Sequence, residues 1–356
     1  MQKIIQYLKE VVERGGSDLH ISPDSPPMMR MNGELVHLVR NILTREETSI
    51  LLKDMLDEEQ LRILDESKSL DIAYEIPHAG YIQRFRCNLF YQKRGLDGVF
   101  RVIPREIPTL KDLNLPTSLE GLINFDHGLI IITGPTGSGK STTISALIDL
   151  TNEVQYKHII TIEDPIEFVH PNKLSILHQR QVRLHTNNFY EALKTSLRQD
   201  PDIIMVGELR NQETVELALT AASTGQLVYT TMHTPTTSKA IERLVEFFPS
   251  QRQNSVRVVL AEFIRAIISQ QLVPRLDGWG RIPAVEILIN CPPIANMIRE
   301  FKPHQILSII QTSKNVGMVS MDDYLVKLFE DGVLSAETVY EYSIDHNRIK
   351  QKMGGS

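Results

Sequence analysis

The stretch LIIITGPTGSGKSTT, Leu129 to Thr143, sets an apolar run against a glycine-rich loop, a lysine and three hydroxyl residues. Read in order, it predicts a buried strand, a tight loop and a helix with Ile144, Leu147 and Ile148 on one face. Between strand and helix, Gly134 to Ser141 fits the pattern G-x-x-x-x-G-K-[ST]. Gly134, Gly137 and Gly139 let the backbone curl, so that its N–H groups and those of the helix start surround an anion. Pro135, Thr136, Ser138 and Thr142 complete the lining. Lys140 then reaches the β- and γ-phosphates of a nucleotide and the Ser141 hydroxyl ligates Mg²⁺, so ATP and Mg²⁺ are the expected cofactors.

Three more apolar runs follow at intervals filled by helical patterns: 159–162 (IITI), 203–206 (IIMV) and 227–232 (LVYTTM). That alternation predicts an α/β domain with a parallel sheet and crossover helices. Each run ends in a polar residue: Glu163-Asp164, Gly207-Glu208 and His233. Ligands of open α/β sheets bind beyond the carboxyl ends of the strands, so these residues are expected to converge on one crevice. Glu163 and Glu208 are candidates to activate water, Glu208 also to complete the Mg²⁺ shell through water, and His233 to contact the γ-phosphate or the next subunit. Arg198 and Arg210, which flank the third run, are further candidates to bind the nucleotide. Arg84, Arg86 and Arg101 lie on strands upstream; an arginine lent by a neighbouring subunit would stabilise the charge on a transferring phosphoryl group.

The region before the loop has a different grammar. It reads as a helix with Ile4, Ile5, Leu8, Val11 and Val12 apolar, a break at Gly15-Gly16, the short strand SDLHIS, and a second helix from Glu46 to about Glu66. Antiparallel strands follow, the last broken at Gly95 and Gly98. This is a small α+β domain over 1–103, joined by a proline-bearing linker, 104–117, to a nucleotide-binding core over 118–290 and an all-helical region over 291–356. The chain of 356 residues is 42% hydrophobic, with a formal charge of −6 and two cysteines, Cys87 and Cys291. A disulfide framework and a four-thiolate zinc site are excluded, and no apolar run approaches the roughly 20 residues that span a bilayer. A cytoplasmic protein is expected.

The ordered boxes resemble those of the type II/IV secretion ATPase superfamily, and within it the type IV pilus retraction ATPases and their accessory paralogues. GPTGSGKSTT is similar to the Walker A box, TIEDPIEFVH (161–170) to the Asp box, LRQDPDIIMVGELR (197–210) to the Walker B region and TGQLVYTTMHT (224–234) to the His box. GGSDLHIS (15–22), RFRCNLFYQKRG (84–95) and GVFRVIP (98–104) resemble the N-terminal domain. The resemblance implies a PAS-like N-domain, a RecA-like P-loop ATPase core and a homo-hexameric ring with ATP held between neighbouring subunits. In it Glu163 is the catalytic base, Glu208 the Walker B acid and His233 the His-box histidine, while Arg84, Arg86 and Arg101 reach across the subunit boundary. The implied function is an ATP-hydrolysing motor for pilus retraction by pilin depolymerisation, hence twitching motility. It would work at the cytoplasmic face of the inner membrane, touching the membrane only through a pilus platform protein, with a paralogous pilus ATPase as an optional partner.

Two positions depart from the family pattern. Gln226 stands where a first His-box histidine is usual, and an amide takes no proton at neutral pH. In PIANMIRE (293–300), Ala295 replaces the first arginine of the retraction motif. Both leave room for an accessory paralogue with weak activity of its own. The short chain and its two cysteines favour retraction over extension motors, which usually carry extra N-terminal domains and a tetracysteine zinc module. A RecA-like nucleic-acid translocase is the remaining rival; the acidic total and lack of an aromatic-basic stripe argue against it, so no nucleic-acid partner is expected.

Overall fold

The computed structural model describes residues 2–31, 33–278 and 280–353. Gly354–Ser356, the end of the region read as helical, lie outside the described residues. The chain divides into two units, 1–106 with 165–168, and 107–164 with 169–356.

The first unit runs α1 (Gln2–Glu13), β1 (Asp18–Ile21), β2 (Met28–Met31), β3 (Glu34–His37), α2 (Arg45–Lys53), α3 (Glu58–Ser67), β4 (Ser69–His78), β5 (Tyr81–Gln92) and β6 (Gly95–Ile103). Its strands form one antiparallel sheet in the order β3-β2-β1-β6-β5-β4. Leu19, Ile21, Phe85, Cys87, Leu89 and Phe100 point to one face and build the core with Ile4, Leu8 and Val11 of α1. The helix expected over 46–66 is two helices. Thr44 caps α2 in a reciprocal box with Glu47, and Asp57 does the same for α3 with Gln60, so the chain stops and restarts. Gly98 does not break a strand. It sits inside β6 where a Cβ would come within 2.8 Å of Leu52 and 3.0 Å of Leu89, so the glycine lets α2 close over the sheet.

The second unit opens with a 3₁₀ turn (Thr117–Asn124) and continues β7 (Gly128–Thr133), α4 (Lys140–Val154), β8 (His158–Glu163), β9 (Ile176–Gln181), α5 (Phe189–Ser196), β10 (Ile203–Val206), α6 (Gln212–Ser223), β11 (Leu227–Met232), α7 (Thr237–Glu246), α8 (Ser250–Phe263), β12 (Ile264–Pro274) and β13 (Arg281–Ile289). Among the described residues five further α-helices follow: α9 (Pro292–Arg299), α10 (Ile306–Thr312), α11 (Met321–Glu330), α12 (Ala336–Tyr342) and α13 (His346–Met353). The seven strands lie in the order β13-β12-β7-β11-β10-β8-β9, all neighbours parallel except β12 and β13. This is the RecA-like α/β sheet that the resemblance implies. The four predicted strands are β7, β8, β10 and β11; β9, β12 and β13 are additions that the sequence reading did not mark.

Alternation along β7 makes two cores. Ile130 and Ile132 pack with Ile144 and Leu147 of α4, while Leu129 and Ile131 pack with Val215 of α6, Ile241 of α7 and Leu260 of α8. The terminal helices cover both sides. Ile294 and Ile310 join the second of these cores, and Leu325, Val339 and Ile349 the first. Truncating a side chain such as Ile132 to alanine is expected to cost about 2–5 kcal/mol, which holds the strand that launches the phosphate loop.

Candidate functional site

The loop after β7 owes its shape to its glycines. Gly134 has φ 144°, and a Cβ there would lie 2.0 Å from the Gln270 carbonyl oxygen of β12, so no other residue fits. Gly139, at φ 84°, starts α4 with no side-chain cap, which leaves the first-turn N–H groups without the usual capping oxygen. Ser141 and Thr142 lie in that turn. Lys140 is buried, and its ammonium arches back to donate to the carbonyls of Gly134 and Pro135, each at 2.9 Å. The Ser138 hydroxyl is buried without a partner.

The parallel register brings the predicted polar residues to the same edge of the sheet. Met232 pairs with Thr133 and Val206 with both Ile162 and Thr230, so Glu163, Glu208 and His233 all emerge along the edge of the sheet that carries the loop. Glu208 is ion-paired with Arg210, and its second oxygen lies 3.7 Å from His233 Nε2. Burial pushes the Glu208 carboxyl up, but the Arg210 hydrogen bond and the charges of Arg210, His233 and Lys140 outweigh it, leaving the group below its ordinary value and ionised. Burial, then the charge of Lys140, lower the His233 imidazole, with Glu208 opposing and Arg210 assisting. His233 is therefore neutral at pH 7, a hydrogen-bonding group rather than a cation.

The loop after His233 is gripped by a row of side chains that the sequence reading missed. Thr133, Ser269 and Glu286 stand opposite one another across β7, β12 and β13. Thr133 Oγ1 accepts from Thr234 N at 2.8 Å, Ser269 Oγ donates to the Pro235 carbonyl at 2.7 Å, and Glu286 Oε1 accepts from Thr237 N at 2.9 Å and Thr237 Oγ1 at 2.7 Å. The signals were the runs 264–273 and 281–289, whose apolar residues read as strands once the break at 275–280 is seen.

Glu163 is buried at the end of β8, three strand positions from β7, or roughly 14 Å at about 4.8 Å per strand. Its Oε1 accepts from Thr161 Oγ1 at 2.6 Å and from Gln179 Nε2, on the neighbouring β9, at 3.1 Å. Arg198 corrects an expectation: it follows α5 and precedes β10, at the amino ends of the strands, away from the phosphate loop. Gln226 is at that far edge too, ahead of β11, where its side chain accepts from Thr224 Oγ1 at 2.9 Å. The missing histidine therefore leaves the Glu208–His233 geometry untouched. Ala295 is buried in α9, part of the core.

Arg84, Arg86 and Arg101 belong to the first unit, on the sheet face opposite its core. Arg86 and Arg101 are direct cross-strand partners, and Arg101 also pairs with Asp18 of β1, whose buried carboxylate accepts its Nε at 3.0 Å. Arg84 is mostly buried beside Glu75 at 2.9 Å, and Arg86 lies 3.7 Å from Glu167. Among the described residues no cluster of three or more His, Cys, Asp or Glu side chains is placed to hold a metal ion, and no helix is long and apolar enough to cross a membrane.

The profile of the Type II/IV secretion system protein family matches residues 1–286. The chain is 42% identical over 338 residues to the type IV pilus retraction ATPase PilT of Pseudomonas aeruginosa, covering 95% of this chain and 97% of that one. It is 38% identical over 351 residues to the type IV pilus ATPase PilU of the same organism, covering 98% and 91%. The crystal structure of the pilus retraction motor PilT with bound ADP superposes with a TM-score of 0.90 at 41% identity, over 98% of this chain and 99% of that one. By sequence, by fold and by the contents of the strand-end crevice, the chain belongs to the type II/IV secretion system protein family, among its type IV pilus retraction ATPases.

Proposed function

We propose that the chain is the ATP-hydrolysing subunit of a motor that powers type IV pilus retraction, and so twitching motility. The observation that carries this reading is the uncapped helix start at Gly139–Ser141, with Lys140 arched over it and the Glu208–His233 pair alongside. Lys140 exchanges two backbone carbonyls for phosphate oxygens, a stronger charge-assisted partner. The N–H groups of the loop and of α4's first turn take the remaining phosphate oxygens. Glu163, turned by Thr161 and Gln179, is the general base for the attacking water. Neutral His233 hydrogen-bonds on the γ-phosphate side, and Glu208 keeps its charge for the cation.

Mg²⁺ fits these residues. The Ser141 hydroxyl and the Glu208 carboxylate are hard oxygen donors of the kind this cation takes. Bound there, it supplies charge neutralisation at the β- and γ-phosphates.

The arginine row of the first unit, Arg84, Arg86 and Arg101, is read as completing the site of a neighbouring subunit in a homo-hexamer, with 104–117 as the hinge between an N-domain over 1–103 and a core over 118–290. The ring acts at the cytoplasmic face of the inner membrane on a pilus platform protein. The likeness to PilU and the buried Ala295 favour one second reading, an accessory retraction ATPase working beside a paralogue. Turnover of purified protein with Mg-ATP tests both. The motor reading expects turnover that Lys140→Ala abolishes; full turnover by that variant overturns it, and no turnover by the natural chain without a partner favours the accessory role.

A further inference from the structure

The phosphate loop has a buried partner outside the family boxes. Gln270 of β12 is 2% exposed, and both ends of its carboxamide are engaged by the loop and by α4. Its Nε2 donates to the Ser138 carbonyl at 2.7 Å, and its Oε1 accepts from Thr143 Oγ1 at 2.9 Å. The orientation is unambiguous: the Ser138 carbonyl only accepts, so the amide's NH₂ faces it and its oxygen faces the hydroxyl. The loop is shaped around this residue. A Cβ on Gly139 would lie 2.9 Å from Gln270 Nε2, as one on Gly134 would meet the Gln270 carbonyl, so two of the motif's three glycines make room for Gln270.

We propose that Gln270 is a positioning residue that aims the phosphate-binding amides. A trans peptide holds its C=O and the following N–H antiparallel in one plane. Pinning the Ser138 carbonyl outward on Gln270 therefore turns the Gly139 N–H the opposite way, away from β12 and toward the inside of the loop. Thr143, 1% exposed on α4, fixes the amide that does the pinning. The inference rests on reading 134–141 as the phosphate loop of a nucleotide site. It adds a residue one strand over, on the opposite side of β7 from β11.

The test is affinity for a fluorescent ADP analogue with Mg²⁺, read beside the melting temperature of nucleotide-free protein. Gln270→Met keeps length and bulk while deleting both bonds; affinity is expected to fall on the order of tenfold, and Thr143→Val to lower it about threefold. Thr143→Ser, which retains the hydroxyl, restores binding. The double variant Gln270→Met with Thr143→Val binds no worse than Gln270→Met alone, because the two residues form one linkage. A packing role predicts instead that methionine is tolerated, so affinity within about twofold of the natural chain at Gln270→Met overturns the proposal, as do additive losses. Should Gln270→Met fail to fold, Thr143→Val decides, and undiminished affinity there overturns it. Failure of the natural chain to bind the analogue at all would sink the phosphate-loop reading itself.

Discussion

At Glu163 the side chain has lost its freedom before any substrate arrives. Two donors, Thr161 and Gln179, converge on one carboxylate oxygen, so the orientation of this carboxylate is set by its own strand and the next. Glu163→Gln preserves an acceptor for both donors but cannot take a proton. We expect nucleotide affinity within about twofold of the natural chain and turnover lower by on the order of 10²–10⁴. Near-normal turnover, measured by phosphate release, would remove Glu163 from the role of base. Glu163 was legible because an acidic residue ends an apolar run. Gln179 was not, since one polar residue among the polar neighbours of LHQRQ (177–181) carries no mark until the sheet places β9 beside β8.

Single groups also fasten one element to another. His170 follows the Asp-box strand, and its ring is nearly enclosed against α4, with Nδ1 3.7 Å from Asp149. Burial lowers its pKa from 6.5 to about 4, against the raising influence of Asp149, with Lys173 adding to the depression. A depressed folded value means that stability is whole above pH 6.5 and is lost as pH falls toward 4, because the unfolded chain takes the proton first. The loss is on the order of 2–3 kcal/mol. Urea unfolding at pH 7, 6, 5 and 4 should show His170→Gln losing less stability than the natural chain over this window; parallel curves would remove His170 as the cause. Elements were unevenly legible. β7, β8, β10 and β11 announce themselves as unbroken apolar runs, whereas β12 carries Arg265, Ser269, Gln270 and Gln271 within its span and so looks mixed. The split of α2 from α3 lay in Asp57 and Gln60, a capping box visible in the sequence but outranked by the leucine spacing.

At the scale of the whole molecule, the arginines of the first unit are the groups with no nucleotide loop of their own unit to serve. Sites completed between subunits make turnover per chain depend on assembly. Specific activity is expected to rise with protein concentration, to be indifferent to single- or double-stranded DNA, and to collapse for Arg86→Ala mixed in excess with the natural chain. Activity constant over a hundredfold dilution would argue for a site complete within one chain, and stimulation by DNA for a translocase.

What the sequence by itself determined is local. Glycine spacing, a lysine at a helix start and polar residues closing apolar runs are set by backbone sterics and strand periodicity, which act over a few residues, and they sufficed to single out the phosphate loop and to nominate Glu163, Glu208 and His233. Only the tertiary structure decided which distant side chains support them, and which candidates fall away. Thr133, Ser269 and Glu286 form a row, and Gln270 meets Ser138, because β7 and β12, more than 100 residues apart, lie side by side with β13 next to them. Arg198 drops out of the site within this chain because parallel strands carry their two ends to opposite edges of the sheet. Pairing between strands depends on which surfaces bury one another, and that is a property of the folded chain as a whole.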